Sequence, residues 1–466
     1  MASDNVKSLE ADLKKALEAG NYNAAPSTLV NGSSLQREDL SGVMEIVCSD
    51  DSHIKLQKAL SSKSVKSLLV QYDRQLSFGL SFGGTAQFEG QVGVEEDGAY
   101  SRMTVPMAFY SLISKVTVQA NMVETVDGVK GEDRVAANAA KKIAADIELD
   151  LFRGKADFSN VGVFDGNILA IPNLPGMLGL DPQVRMSDAQ RNAQDLMFAE
   201  FGGNETVVLP GGAILSQDNI EDAAVRSTQN HGHADKMYLS PKALSLYNKI
   251  SFGKERLVLA GSPQGATGAE LRDQWTSSGT VKLEASRFLT AKFLPGSARS
   301  VGPAAPTIAL ASVAGTTSLV ALLYSYYVTA VNEKGESVGS AVSTITPTAG
   351  DYVTVTITPG SGTSRYFNVY RNNGGQAASA AKFIGRIANS GAATTVFYDL
   401  NNRLPGHSVA FLVENDTMEI KELAPFSRMK LAVTDLSLPE AHFRFACLAV
   451  TQPRKNVLVD NIRDYQ

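Results

Sequence analysis

Residues 132–154 read EDRVAANAAKKIAADIELDLFRG, and this stretch sets the frame for the rest of the chain. Val135, Ala139, Ile143, Ile147 and Leu151 recur every four residues, which is one face of an α-helix. Glu132 and Asp133 stand in the first turn and complement the positive end of the helix dipole. Arg153 stands in the last turn and Gly154 follows as a stop. Ala136, Ala140 and Ala144 lie beside the stripe and leave room for close packing. A helix of this length spans ~33 Å, the width of a small domain. Asp146 and Asp150 sit four apart on what reads as its solvated side.

Upstream, residues 68–119 carry a strand pattern. The front half, Leu76 to Gly98, is rich in glycine and polar residues. In the back half Val105, Met107, Phe109 and Ile113 fall on one face, and Val116 and Val118 continue with a phase shift. This predicts a long β-hairpin whose tip includes Glu95-Glu96-Asp97-Gly98, with Asp-Gly as the turn signal. Three like charges with little to bury gain little by folding back onto their own subunit. Further upstream, Val6, Leu9, Leu13 and Leu17 predict an amphipathic helix over 4–19, followed by a polar arm over 21–43.

Downstream, residues 155–295 mix short helices and strands. Asp188 to Phe201 is helical in pattern, Ser216 can cap a helix through Val225, and Ser240-Pro241 opens another reaching Ile250. Thr206–Leu209 and Val281–Leu283 read as strands, giving an α+β unit. The composition then changes. Ten charged residues occupy positions 300–409, against 20% for the whole chain. Tyr324, Tyr326, Val328 and Ala330 alternate, as do Val353, Val355 and Ile357, and Phe367, Val369 and Arg371, with turn residues between them. Even spacing of short strands indicates a β-sandwich. Residues 411–466 return to the earlier composition and are short for a core of their own, so they are expected to complete the 155–295 unit. The sandwich then reads as an insertion.

The 466 residues are 44% hydrophobic and carry a net charge of −5, a globular balance that argues against a chain built to wrap nucleic acid. The two cysteines, Cys48 and Cys447, read as small buried side chains. The N-terminus lacks the pattern of a signal peptide. The uncharged run from Ser300 to Asn332 is interrupted by Pro303, Pro306 and Gly315, so it reads as β structure, not a membrane span.

Catalytic patterns are missing. There is no phosphate-binding glycine loop, no His-Glu-x-x-His and no nucleophile elbow. His231 and His233 form the only close histidine pair and fall in a segment that reads as a loop, without a cysteine nearby. Tyr324 and Tyr326 read as sandwich core in preference to a stacking platform. No catalytic, cofactor-binding or metal-binding residue is assigned, and the chain is not expected to be an enzyme.

The order of parts resembles the major capsid proteins of tailed bacteriophages with the Hong Kong 97-like fold, in the variety with an inserted domain known from large-headed myoviruses. The resemblance rests on Val70–Asp73 entering the hairpin, Val105–Val118 leaving it, Glu132–Gly154 as the spine, and Met429–Leu431, Phe445-Ala446, Ala449-Val450 and Pro453–Lys455 at the end. Within the insertion, Tyr326–Ser337 and Phe367–Arg371 look like strands of an immunoglobulin-like or fibronectin type III-like domain.

This resemblance implies an α+β capsid fold divided as follows: N-terminal helix and arm 1–67, E-loop-like hairpin 68–119, spine 120–154, axial domain 155–299, inserted all-β sandwich 300–409, and a return through 410–466. It implies self-assembly as pentamers and hexamers into an icosahedral shell around packaged double-stranded DNA. Scaffold, portal and decoration proteins would be partners, assembly would take place in the bacterial cytoplasm, and no membrane or cofactor would be involved. Arg74, Glu89, Glu95, Glu96, Asp97 and Arg102 are the expected contacts between subunits. A tail component or an encapsulin-type shell is the alternative. Some family members crosslink through a hairpin lysine, but Gln75 to Ser114 contains no lysine, so contacts of this hairpin are expected to be noncovalent. Replacing Glu95, Glu96 and Asp97 with alanine should therefore lower the resistance of assembled particles to salt and heat, read by light scattering. Unchanged resistance would remove the acidic tip from the contact.

Overall fold

The computed structural model describes residues 53–75, 88–91, 93, 97–98, 100–122, 129–154, 176–185, 206–251, 273–290, 302–315, 317–332, 335–401, 403–433 and 435–464. The helices expected at 4–19 and 188–201, and the arm at 21–43, lie outside these residues.

Through the spine, the elements are α1 (Leu56–Ala59), β1 (Ser61–Ser64), β2 (Leu69–Gln75), β3 (Tyr100–Pro106), β4 (Ala108–Thr117), α2 (Val118–Met122) and the spine helix α3 (Gly131–Arg153). Next come α4 (Leu180–Arg185), β5 (Val207–Val208), α5 (Gln217–Gln229), β6 (Lys236–Leu239), α6 (Pro241–Ser251), β7 (Asp273–Thr276) and β8 (Gly279–Ala285). The low-charge region forms β9 (Thr307–Val313), β10 (Tyr324–Asn332), β11 (Gly335–Glu336), β12 (Ser343–Ile345), β13 (Tyr352–Thr358), β14 (Tyr366–Arg371), β15 (Lys382–Ala388) and β16 (Thr395–Asp399). The chain ends in β17 (His407–Val413), β18 (Met418–Lys430), β19 (Ser437–Val450) and β20 (Val457–Arg463).

The spine helix lies between two sheets. Ile143, Ile147, Leu151 and Phe152 share one core with Ala108, Ile420, Ala446 and Leu448 of the four-stranded sheet β1-β18-β19-β4. The same core includes Tyr238, Val409, Phe411 and Leu458 of the six-stranded sheet β5-β20-β17-β6-β8-β7. Phe152 touches both Tyr238 and Phe411, with ring centroids 5.5 and 5.8 Å away. The opposite face of the six-stranded sheet is covered by α5 and α6 through Ile220, Ala223, Ala243 and Tyr247. Ser216 caps α5 by accepting the Asn219 N–H at 3.3 Å, and the Ser240 hydroxyl accepts the Ala243 N–H at 3.1 Å at the start of α6.

Three details of the spine differ from the sequence reading. Gly154 ends the helix with φ −51, not in a left-handed cap. Glycine is required there by close approach: a Cβ would stand 2.4 Å from the Met177 carbonyl oxygen and 2.5 Å from that of Asp150. Asp150 is not simply solvated, because the Tyr110 hydroxyl donates to its carboxylate at 2.5 Å. Glu132 and Asp133 meet a partner as well as the dipole, since Arg428 of β18 donates to both and to Glu440.

Residues 411–466 do not all join the 206–285 region. Strands β17 and β20 lie in the six-stranded sheet, whereas β18 and β19 run beside β1 and β4. Between β8 and β17, two sheets face one another: β10, β11, β12, β14 and β15 form one, and β9, β13 and β16 the other. Tyr326, Val328, Val353, Val355, Phe367, Val369 and Phe397 fill the space between them. Two of the ten charges in this region meet inside it. Arg371 pairs with Asp399 at 2.5 Å, with 1% and 2% of their side chains exposed. The Tyr326 hydroxyl donates to the same carboxylate oxygen at 2.8 Å, so the cluster ties one sheet to the other.

Glu148 is fully buried on the spine. Its carboxylate accepts the backbone N–H groups of Lys55, Leu56 and Gln57 at 3.0, 2.8 and 2.8 Å, holding the start of α1. Burial outweighs these bonds and raises the carboxyl above its ordinary 4.5. A raised carboxyl favours the folded state most when protonated, so its contribution declines as pH climbs through the folded-state value. The stability of the wild type relative to Glu148→Gln should thus increase as pH falls from about 7 towards about 4.5, read by denaturant unfolding. Glu148→Ala should cost about 1–3 kcal/mol by orphaning the α1 donors. A wild-type-minus-Gln difference that is flat in pH would contradict the assignment.

Candidate inter-subunit surface

Strands β2 and β3 pair antiparallel from Leu69 opposite Pro106 to Gln75 opposite Tyr100. The root of this ribbon is anchored. Val70, Val105 and Met107 pack over Cys447 and Leu178, and the Tyr72 hydroxyl donates to the Val450 carbonyl at 2.9 Å. Burial pushes the Cys447 thiol up to about 12. At the far end of the described pairing Tyr100 is exposed, and Phe88, among the few described residues between the two strands, is 83% exposed.

The expected contact residues are distributed as follows. Arg102 faces Asp73 across the ribbon, donating at 2.7 and 3.2 Å. That guanidinium holds the Asp73 carboxyl below its usual value. Arg74 stands opposite Ser101 in the register. Glu89 and Asp97 are exposed. Glu95 and Glu96 lie outside the described residues.

The strand leaving the hairpin corrects the sequence reading. Val105 and Met107 are buried, but Phe109 and Ile113 are 59% and 62% exposed. The alternation breaks because Met107 and Ala108 are buried in succession, where the chain leaves β3 and joins β19 as β4. Phe109 and Ile113 therefore lie on the face of the four-stranded sheet that carries Phe445 and Cys447, outside the part that the ribbon root covers. Phe109 packs edge-on against Phe445, which stacks on Phe443. Met429 is half-exposed opposite Ala441. Sequence periodicity gives which of these residues share a face but not whether that face is covered.

The pair His231 and His233 lies in the loop between α5 and β6, where the His233 N–H donates to Glu414 at 3.0 Å. Among the described residues no group of three or more His, Cys, Asp or Glu side chains could hold a metal ion, and no helix is long and apolar enough to cross a membrane.

No family model matches the chain. It is 22% identical over 477 residues to the major capsid protein of Staphylococcus phage S25-3, covering 97% of this chain and 95% of that protein. The likeness to the major capsid protein of Staphylococcus phage K has the same identity and coverage. The chain is a homologue of phage major capsid proteins. Solved structures of capsid subunits are similar at lower identity. The capsid of a native GTA particle covers 94% of this chain and 99% of its own at 9% identity and a TM-score of 0.49. Gordonia phage Cozz covers 94% and 95% at 8% identity and a TM-score of 0.44. The SrpI encapsulin of Synechococcus elongatus covers 91% and 93% at 8% identity and a TM-score of 0.39.

The root of the hairpin has a chemical reporter in Cys447. In the folded chain this thiol should react with iodoacetamide at least about tenfold more slowly than an exposed thiol at mildly alkaline pH, followed by peptide mass spectrometry. Val105→Ala should accelerate it. Equal rates in native and unfolded protein would mean that the ribbon does not shield the sheet.

Proposed function

We propose that the chain is the shell subunit of a tailed-phage head, assembled as pentamers and hexamers into a closed icosahedral shell around packaged double-stranded DNA. The observation that carries this reading is coverage: relatives named major capsid proteins match almost end to end on both sides, 97% of this chain and 95% of theirs. A shared module would match only a segment.

The physical form supports it. A ribbon anchored at its root and exposed at Asp73, Tyr100 and Arg102 can lie on a neighbouring copy, and a closed shell needs only modest contacts repeated many times. In this reading residues 68–119 are the E-loop-like arm, 120–154 the spine, and 155–299 with 410–466 the axial region. The unit over 300–409, low in charge, sits on the outer surface, where it braces neighbours or receives a decoration protein. Scaffold and portal proteins act during assembly in the host cytoplasm.

Expression alone and together with the neighbouring phage genes, followed by electron microscopy of the fast-sedimenting fraction, tests the reading. Closed icosahedral shells with the 300–409 unit outside are expected. Rods or tubes alone would favour a tail component, and shells loaded with a protein cargo would favour the encapsulin type. A monomer under all conditions would overturn it.

A further inference from the structure

Trp275 is the only tryptophan in the chain, and it is 78% exposed. It sits on β7, an edge of the six-stranded sheet, and among the described residues β7 pairs only with β8. Its backbone is held firmly. The Ser277 N–H at the turn donates to both carboxylate oxygens of Glu221 on α5, at 3.0 and 3.2 Å. The Thr228 hydroxyl of α5 donates to Ser278 at 2.6 Å, and Tyr247 of α6 donates to Gln274 at 2.7 Å. Gln274 and Val281 turn inward, while Asp273, Trp275 and Thr280 face out. A large aromatic fixed on a rigid edge loses little entropy on docking, which is the profile of an interface hot spot.

The edge is also unguarded. Among the described residues nothing pairs with the outer side of Asp273–Thr276, a short strand with no lysine, proline or bulge whose single charge, Asp273, stands at its start beside Trp275. At the other side of the same sheet β5 is the second edge, and it runs directly into Leu209, which is 65% exposed. Strand directions are compatible. Following the pairings from β5 through β20, β17, β6 and β8, β7 runs opposite to β5. Two copies set side by side in the sheet plane thus bring β7 against β5 antiparallel.

We propose that the Trp275 edge of one copy docks on the Val207–Leu209 edge of the next, a head-to-tail contact that closes copies into rings. The occupant is a second copy because the two edges belong to one sheet, differ from each other, and each present one large apolar side chain. A contact between unlike edges propagates around a ring, whereas a contact between like edges stops at a dimer. The inference rests on the shell reading above.

The single tryptophan is its own reporter. Purified chain is assembled, and its emission and acrylamide quenching are compared before and after. On assembly the emission should shift to shorter wavelength and quenching should fall. Trp275→Ser should raise the concentration needed for assembly at least about tenfold, Trp275→Phe much less, and both should keep the wild-type melting temperature. With Asp273→Cys and Leu209→Cys combined, oxidation should give ladders longer than dimers, while Asp273→Cys alone should give none. Closed shells in which Trp275 stays wet and quenchable, or dimers from Asp273→Cys alone, would overturn the edge contact and leave the shell reading standing. Absence of any assembled species would overturn both.

Discussion

A single helix serving two sheets is the constraint on which the rest of this structure depends. Ile143, Ile147 and Leu151 pack on the four-stranded sheet, and Phe152 reaches Tyr238 and Phe411 of the six-stranded sheet. Burial of both sides of α3 explains why its polar residues are committed. Glu148 holds α1, Asp150 receives Tyr110, and Arg153 donates to the Thr290 carbonyl. Each is a polar group whose burial would be costly without its partner. Gly154 and Gly179 extend the same logic into the backbone. Gly179 donates to the Gly154 carbonyl at 3.2 Å, and side chains at either position would collide with main-chain atoms.

With its core fixed in this way, the subunit leaves particular surfaces open. The β2–β3 ribbon is buried at its root and exposed beyond it. The four-stranded sheet presents Phe109 and Ile113, and the six-stranded sheet ends, among the described residues, in an edge strand that carries Trp275. Open aromatic faces and unguarded edges are liabilities in a monomer and useful in a protein that functions only as one copy among many. The unit over 302–401 differs. It closes its own core, and its Arg371–Asp399 pair gains hydrogen bonds from Tyr326 and Asn401 within the same unit.

Much of the local structure was legible because it depends on neighbours in sequence. The spine helix, the serine caps at Ser216 and Ser240, and the alternating strands around Tyr326, Val355 and Phe367 follow from periodicity and turn chemistry. The low charge of 300–409 separated that region, although it did not foretell that Arg371 and Asp399 would be buried together. The hairpin was legible as a ribbon, but its exit strand was not. Val105, Met107, Phe109 and Ile113 share one face in sequence, with Ser111 between the last two, and only the change of pairing partner at Met107 leaves the last two exposed. Of the contact residues expected from sequence, Arg102 is engaged with Asp73 on the same ribbon. Trp275 carried no local signal, because exposure of an aromatic on a strand depends on which edge of which sheet that strand occupies.

The sequence by itself determined the spine helix, the capped helices after Ser216 and Ser240 and the alternating strands around Tyr326, Val355 and Phe367, since these follow from residue type and short-range spacing. Tertiary structure decided which faces are covered. It sent β18 and β19 to the N-terminal strands and β17 and β20 to the other sheet, although all four lie within one short C-terminal stretch. Strand pairing joins residues hundreds of positions apart, as Ser61 does with Glu419. That choice is made by the match of whole surfaces, which no local pattern encodes.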